Sequence, residues 1–225
     1  MDASFDTIGG LDRDGAPLSP VVLSVPHAGR DYPTALLGAL RLPATALTIL
    51  EDRFVDEVAH GARTQETMLV QRRARAWIDL NRGEGERDPR VDEGVAAQAR
   101  FGVAVLLDVH SMPPLGDHAR IVLGDRFGHA AAQRFVARLE AEAAHAGVRT
   151  ALNTPYAGGH ILERHAAPAR GIHAIQIEFD RTLYLDAALD RPGTGLPAIV
   201  ALLRRMIAAA ADEALTGDRF ALAAE

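Results

Sequence analysis

Three short apolar runs each lead into a side chain that can bind a metal or move a proton. Val21-Val22-Leu23-Ser24-Val25 leads into Pro26-His27-Ala28-Gly29. Val103-Ala104-Val105-Leu106-Leu107 leads into Asp108-Val109-His110-Ser111, and Ala174-Ile175-Gln176-Ile177 leads into Glu178. β-Branched runs of this length, bounded by turn residues, read as buried strands. Ligands of an open α/β sheet gather beyond the carboxyl ends of its strands. Two imidazoles and a carboxylate delivered to one sheet edge could hold a divalent ion and accept a proton from water.

Each residue also has a plainer reading. His27 sits in a turn, where a lone histidine is usually structural, and His110 could be a hydrogen-bonded core histidine. Asp108 either orients a neighbouring ligand or makes backbone contacts at the strand end. Glu178 alternates with Ile175, Ile177 and Phe179, which places it on the other strand face, either as a base or paired with Arg181. An open zinc site built from two histidines needs a third, carboxylate ligand. Glu51 and Asp52 supply candidates, because they interrupt an otherwise apolar helix start. Helical phase favours Glu51, and a first-turn acid favoured by the helix dipole is the alternative for either. Asn81-Arg82 follows another strand candidate; the guanidinium can grip a carboxylate through two hydrogen bonds or stabilise an oxyanion, or the pair is an ordinary turn.

The elements that must position these groups alternate along the chain. Strands are expected near 21–25, 67–71, 76–80, 103–107, 120–123 and 173–179. Helices are expected near 45–63, from Asp88-Pro89 to about Gly102, over 126–146 up to the stop at Gly147, and over 195–216. The stretch 153–171, rich in Gly, His and Pro, reads as a functional loop with a short helix. Alternation of this kind predicts an α/β domain with a mixed, largely parallel sheet spanning the whole chain, 1–225.

Composition narrows the chemistry. The chain has 225 residues, 48% hydrophobic, with a net charge of -6 and no cysteine. Disulfides and thiolate metal sites are therefore excluded, and any metal must be held by histidine and carboxylate. All 24 basic residues are arginine. The acidic balance argues against a nucleic-acid partner, and no apolar run approaches a membrane span of about 20 residues. No leader is evident at the first residues, so a cytoplasmic location is the expectation. His60, His118, His129, His145 and His173 lack supporting motifs, whereas His160 and His165 lie in the Gly-rich loop and could face a pocket.

Taken in order, these motifs resemble the N-formylglutamate amidohydrolase family. The matching pieces are Ser24-Val25-Pro26-His27-Ala28-Gly29, Glu51-Asp52 with Val55-Asp56, and Ile78-Asp79-Leu80-Asn81-Arg82. They continue through Asp108-Val109-His110-Ser111, Gly158-Gly159-His160-Ile161, Arg164-His165 and Gln176-Ile177-Glu178. The resemblance covers about residues 20 to 190. It implies kinship with zinc carboxypeptidases and a three-layer α/β/α, phosphorylase/hydrolase-like sandwich. It also implies one zinc ion held by His27, Asp52 and His110, with Asp52 preferred to Glu51 because a ligand must face the site. Glu178 becomes the general base, and Arg82 joins it in catalysis. Asn81, Arg82, Gly159, His160 and Arg164 become substrate contacts for a small N-acyl amino acid, foremost N-formyl-L-glutamate. Arg126 and Arg181 are further cations for a dicarboxylate. The chain between Arg82 and the strand at 103 is shorter than in fuller members, and His160 stands where an aromatic or apolar residue is expected. Both departures bear on the substrate, so another carboxylate-bearing amide remains an alternative, as does a non-catalytic binding protein.

Overall fold

The computed structural model describes residues 4–81, 90–116 and 119–221. Among these residues seven strands form one sheet: β1 (Phe5–Ile8), β2 (Val21–Val25), β3 (Thr67–Gln71), β4 (Ala104–Met112), β5 (Ile121–Gly124), β6 (Thr150–Leu152) and β7 (Ile172–Asp180). Their order across the sheet is β1-β3-β2-β4-β7-β5-β6. The four central strands, β3, β2, β4 and β7, run parallel. β1 pairs antiparallel with β3 and β5 antiparallel with β7, which makes the sheet mixed.

Among the described residues six α-helices accompany it: α1 (Thr34–Ala39), α2 (Val55–Ala62), α3 (Arg90–Phe101), α4 (Gln133–His145), α5 (His160–His165) and α6 (Leu196–Ala221). Odd-numbered residues of β2, β4 and β7, among them Leu107, Val109, Ile175 and Ile177, pack with Met68 of β3 into one core with apolar residues of α2, α4 and α6. On the opposite face, Ala104, Leu106 and Ala174 pack with Ala97 of α3 and Ile161 and Leu162 of α5. The architecture is thus three layers, α/β/α. β4 and β7 are buried along their whole length, as expected for central parallel strands covered on both faces.

Several expected elements differ. The helix expected over 45–63 is a 3-10 helix, Ala44–Leu50, followed by a break at Glu51–Phe54 and then α2. Phe54 sits in the left-handed region at φ 57°, so the chain turns sharply before α2. No strand forms over 76–80: the chain turns there, with Trp77 and Ile78 donating back to the Ala74 carbonyl. α4 starts at Gln133 rather than 126, because Arg126, Phe127 and Gly128 all have positive φ. Phe127 is consequently 71% exposed and outside the core. The polar lead-in contains β1, an edge strand with too little alternation to read. The Asp88-Pro89 helix opening lies outside the described residues, as does His118. No described helix is long and apolar enough to cross a membrane.

Candidate metal centre

The chemistry-bearing residues occupy one face of β4 and β7. On that face β4 changes along its length from apolar Ala104 and Leu106 to Asp108 and His110, while β7 changes from Ala174 to Gln176 and Glu178. His110 and Glu178 are register partners on adjacent parallel strands, so their side chains leave the sheet on the same side. Both lie inside their strands: β4 continues five residues beyond the apolar run, and the site is built onto the rigid ladder.

His27 leaves β2 next to β4, and its carbonyl accepts a hydrogen bond from the Asp52 amide at 3.1 Å. Asp52 thereby enters from the break before α2. Three buried groups, His27, Asp52 and His110, place ligand atoms within 4.8 Å of one another. Asp52 Oδ2 lies 3.0 Å from His110 Nδ1 and 3.7 Å from His27 Nδ1. The imidazoles meet edge to face, with centroids 4.8 Å apart. Donors held about 2.0–2.1 Å from one tetrahedral ion stand about 3.3 Å apart, and these separations bracket that value.

The distal nitrogens support the same reading. His27 Nε2 meets Asp79 Oδ1 at 2.8 Å, and His110 Nε2 meets Asp108 Oδ2 at 2.8 Å. A carboxylate only accepts, so each Nε2 carries the proton and each Nδ1 is turned towards Asp52. His27 Nδ1 is buried without a hydrogen-bond partner, which an incoming cation would satisfy. Carboxylates behind ligating imidazoles fix the tautomer and raise ligand basicity. The donor set therefore fits a borderline divalent ion with at least one open position, and zinc is among the ions that such a set holds.

Electrostatics follow from the burial. Burial alone would raise the Asp52 pKa, but the hydrogen bond to His110 and the close approach of His27 outweigh it and hold the carboxyl well below the usual range. Burial would discourage a charged His110, yet Asp108 and Asp52 raise its pKa well above the ordinary histidine value. Metal binding at Nδ1 must therefore displace a proton. Burial raises the Glu178 pKa to about 7, with His110 pulling it down and Asp52 pushing it up.

Glu51 faces elsewhere. It accepts from the Tyr32 hydroxyl and from Arg53 Nη1 at 2.8 Å. Helical phase misleads here because no helix runs through these positions. Asp79 and Asp108 sharpen a prediction: replacing either with Asn is expected to weaken metal affinity about 10- to 100-fold while leaving the fold intact. Chelator competition on the purified variants measures it, and unchanged affinity would mean that these carboxylates do not tune the site.

A cavity of about 300 Å³ opens beside the cluster. Asp52, Asp79, Ser111 and Glu178 line its inner wall, and Arg75, Arg181 and Tyr156 also face it. Arg181 is buried, donating to Ser111 Oγ at 3.1 Å and lying 3.5 Å from Asp52 Oδ1. It does not pair with Glu178, whose Oε1 instead accepts from Gln176 Nε2 at 2.8 Å. Gln176 Oε1 in turn accepts from the Gly159 amide at 3.3 Å. Gly159 is thus tied to Glu178 through Gln176, and a Cβ at Gly159 would collide with the Asn81 side chain at 2.2–2.5 Å.

Asn81 docks α5: its Oδ1 accepts from the Ile161 amide and its carbonyl from the His160 amide. His160 is half-buried at the start of α5, and the structure does not bring it to the cavity wall. Arg164 is exposed and likewise off the wall; Arg126 pairs with Glu163 at 3.3 Å. Arg82 lies outside the described residues. Sequence reading missed Arg75 and Tyr156, which no periodicity or motif separates from neighbouring loop residues.

A family model described as N-formylglutamate amidohydrolase matches residues 19–96 and 90–185, well over half of the chain. The chain belongs to the N-formylglutamate amidohydrolase family. Among its relatives, the N-formylglutamate deformylase of Pseudomonas aeruginosa is 34% identical over 121 residues. That match spans 50% of this chain and only 43% of the relative. The N-formylglutamate deformylase of Pseudomonas putida is 26% identical over 74% of this chain and 82% of its own length. The crystal structure of an N-formylglutamate amidohydrolase from Ralstonia eutropha superposes with a TM-score of 0.79 at 22% identity, covering 97% of this chain and 99% of that one. It shares the three-layer fold.

Proposed function

We propose that this chain is a zinc-dependent amidohydrolase that cleaves an N-acyl amino acid, foremost N-formyl-L-glutamate to formate and glutamate. The observation that carries the reading is the convergence of His27 Nδ1, His110 Nδ1 and an Asp52 carboxylate oxygen, with Glu178 on the wall of the adjoining cavity. The names of the Pseudomonas relatives support the substrate.

His27, Asp52 and His110 would hold the ion. When bound, zinc supplies Lewis-acid polarisation of the amide carbonyl and makes water more acidic. Glu178 takes the proton of the attacking water as its oxygen adds to the acyl carbon. It returns that proton to the amide nitrogen as the C–N bond breaks, so one carboxylate serves both halves of the reaction. Gln176 holds the Glu178 carboxylate in place, and Asp79 and Asp108 hold the two imidazoles.

A panel of N-formylglutamate, other N-acyl amino acids and short peptides, run with and without added zinc, tests the reading. Preferential zinc-dependent release of formate from N-formylglutamate is expected. Turnover of peptides alone would favour a peptidase, and no turnover of any amide with a full complement of zinc would favour a binding protein.

The raised Glu178 pKa also predicts a pH effect on the metal-free protein. Between about 4.5 and about 7 the folded chain keeps a proton on Glu178 that the unfolded chain has released. This group's contribution to stability is therefore greatest below about 4.5 and declines as pH rises towards about 7. Denaturant titrations of the metal-free wild type and Glu178→Gln across that window isolate the effect. The wild type should lose stability relative to the variant as pH rises; parallel curves would contradict it.

A further inference from the structure

We propose that Arg75 is a specificity-determining residue of this site and receives the side-chain carboxylate of a dicarboxylate substrate. The inference rests on the reading of the site as an amide hydrolase and names the group that selects the substrate.

Arg75 lines the cavity, with about a third of its side chain exposed (32%). Its Nε donates to Asp79 Oδ2 at 3.0 Å. A guanidinium carries five N–H donors in a planar fork. Anchoring through Nε fixes that plane and leaves the terminal Nη1/Nη2 edge without a hydrogen-bond partner among the described residues. This edge matches the two oxygens of a carboxylate. A fixed fork facing a cavity also loses little rotamer freedom on binding.

The other described cations are less suited. Arg181 spends all three nitrogens inside the protein, on Ser111 Oγ, the Ile49 carbonyl and Asp52 Oδ1. It is a locked positive charge beside a residue of the metal cluster, placed for the α-carboxylate that lies two bonds from the reacting nitrogen. Arg75 sits one residue further from the cluster, reaching it only through Asp79 and His27. That position suits the more distant side-chain carboxylate. Asp79 therefore has two roles, orienting His27 through Oδ1 and the guanidinium through Oδ2.

Calorimetric titration of the zinc-loaded protein with glutarate and with glutaramate, its mono-amide of the same shape, tests the assignment. Wild type should bind glutarate about 10- to 100-fold more tightly, the range for a hydrogen-bonded charge. Arg75→Met should bring the two ligands to within about threefold, with zinc content unchanged. Arg75→Gln, which can still donate to Asp79, gives the same readout should the methionine variant fold poorly. In turnover, Arg75→Met should raise KM for N-formylglutamate by a larger factor than it lowers kcat, and by far more than it raises KM for N-formylglutamine. Folded variants that keep the wild-type preference for glutarate overturn the proposal, as does a wild type without that preference. A preference lost in the variants, in a wild type that does not deformylate, would sink the reaction and leave the Arg75 assignment standing.

Discussion

Glu178→Gln is expected to cut kcat by about 10²- to 10⁴-fold while the protein keeps its full complement of metal. Glutamine preserves the shape of the side chain and can still face Gln176, but it cannot accept a proton from water at neutral pH. Glu178 is not among the three clustered ligands, so zinc content and the melting temperature of the loaded protein should be unchanged or slightly raised. Burial supports the direction, because the variant removes a carboxylate that the surrounding apolar sheet disfavours when charged. Steady-state kinetics paired with metal analysis give the result. A variant that turns over within about tenfold of wild type would exclude Glu178 as the base.

Asp52→Ala is expected to abolish both metal binding and activity. Its Oδ2 is the atom that both imidazoles approach, and no other described carboxylate shares that cluster. The substitution also leaves the buried His110, which Asp108 and Asp52 together favour in its charged form, with one counter-charge fewer. A loss of stability in the metal-free protein should follow, because an uncompensated buried charge is costly. Glu51→Gln is the matched control. Its carboxylate is directed to Tyr32 and Arg53, so zinc should remain bound. The reverse pattern, zinc lost in Glu51→Gln and retained in Asp52→Ala, would exchange their roles.

The layered fold is legible because the central strands carry continuous apolar runs and the later helices carry helical periodicity. Val103 to Leu107 and Ala174 to Ile177 announce β4 and β7 directly. What those runs hide is the length of the strands. Asp108 and His110 look like residues beyond a strand because they are polar, yet the ladder continues through them on a face that turns from apolar to polar. The break at Glu51–Phe54 is equally hidden: Leu47, Leu50, Phe54 and Val58 keep a helical spacing across two separate helices. Their phase therefore points at Glu51, and the family resemblance points at Asp52, which is the residue that faces the imidazoles. The edge strands β1 and β6 are short and only partly buried, so their hydrophobic patterns are weak.

The cavity wall is least legible. Arg75 is one of 24 arginines in a chain without lysine, and composition gives no reason to select it. Its neighbours Arg72 and Arg73 form ion pairs elsewhere, with Asp6 and Asp31. Only the fold shows that Arg75 lines the cavity and shares Asp79 with His27. Tyr156 reaches the same wall from a loop with no periodicity, next to a cis Thr154-Pro155 bond. Gln176 sits within a strand, where a buried amide bridging Gly159 to Glu178 cannot be distinguished from an ordinary core polar residue.

The central claim is that His27, Asp52 and His110 hold one zinc ion through Nδ1, a carboxylate oxygen and Nδ1. A crystal structure of the zinc-loaded protein, with anomalous data collected on both sides of the zinc absorption edge, tests it most directly. The expected result is a single anomalous peak about 2.0–2.2 Å from those three atoms, with each Nε2 still against its aspartate. A peak ligated through Nε2, one centred on other residues, or none at full zinc loading would contradict the account.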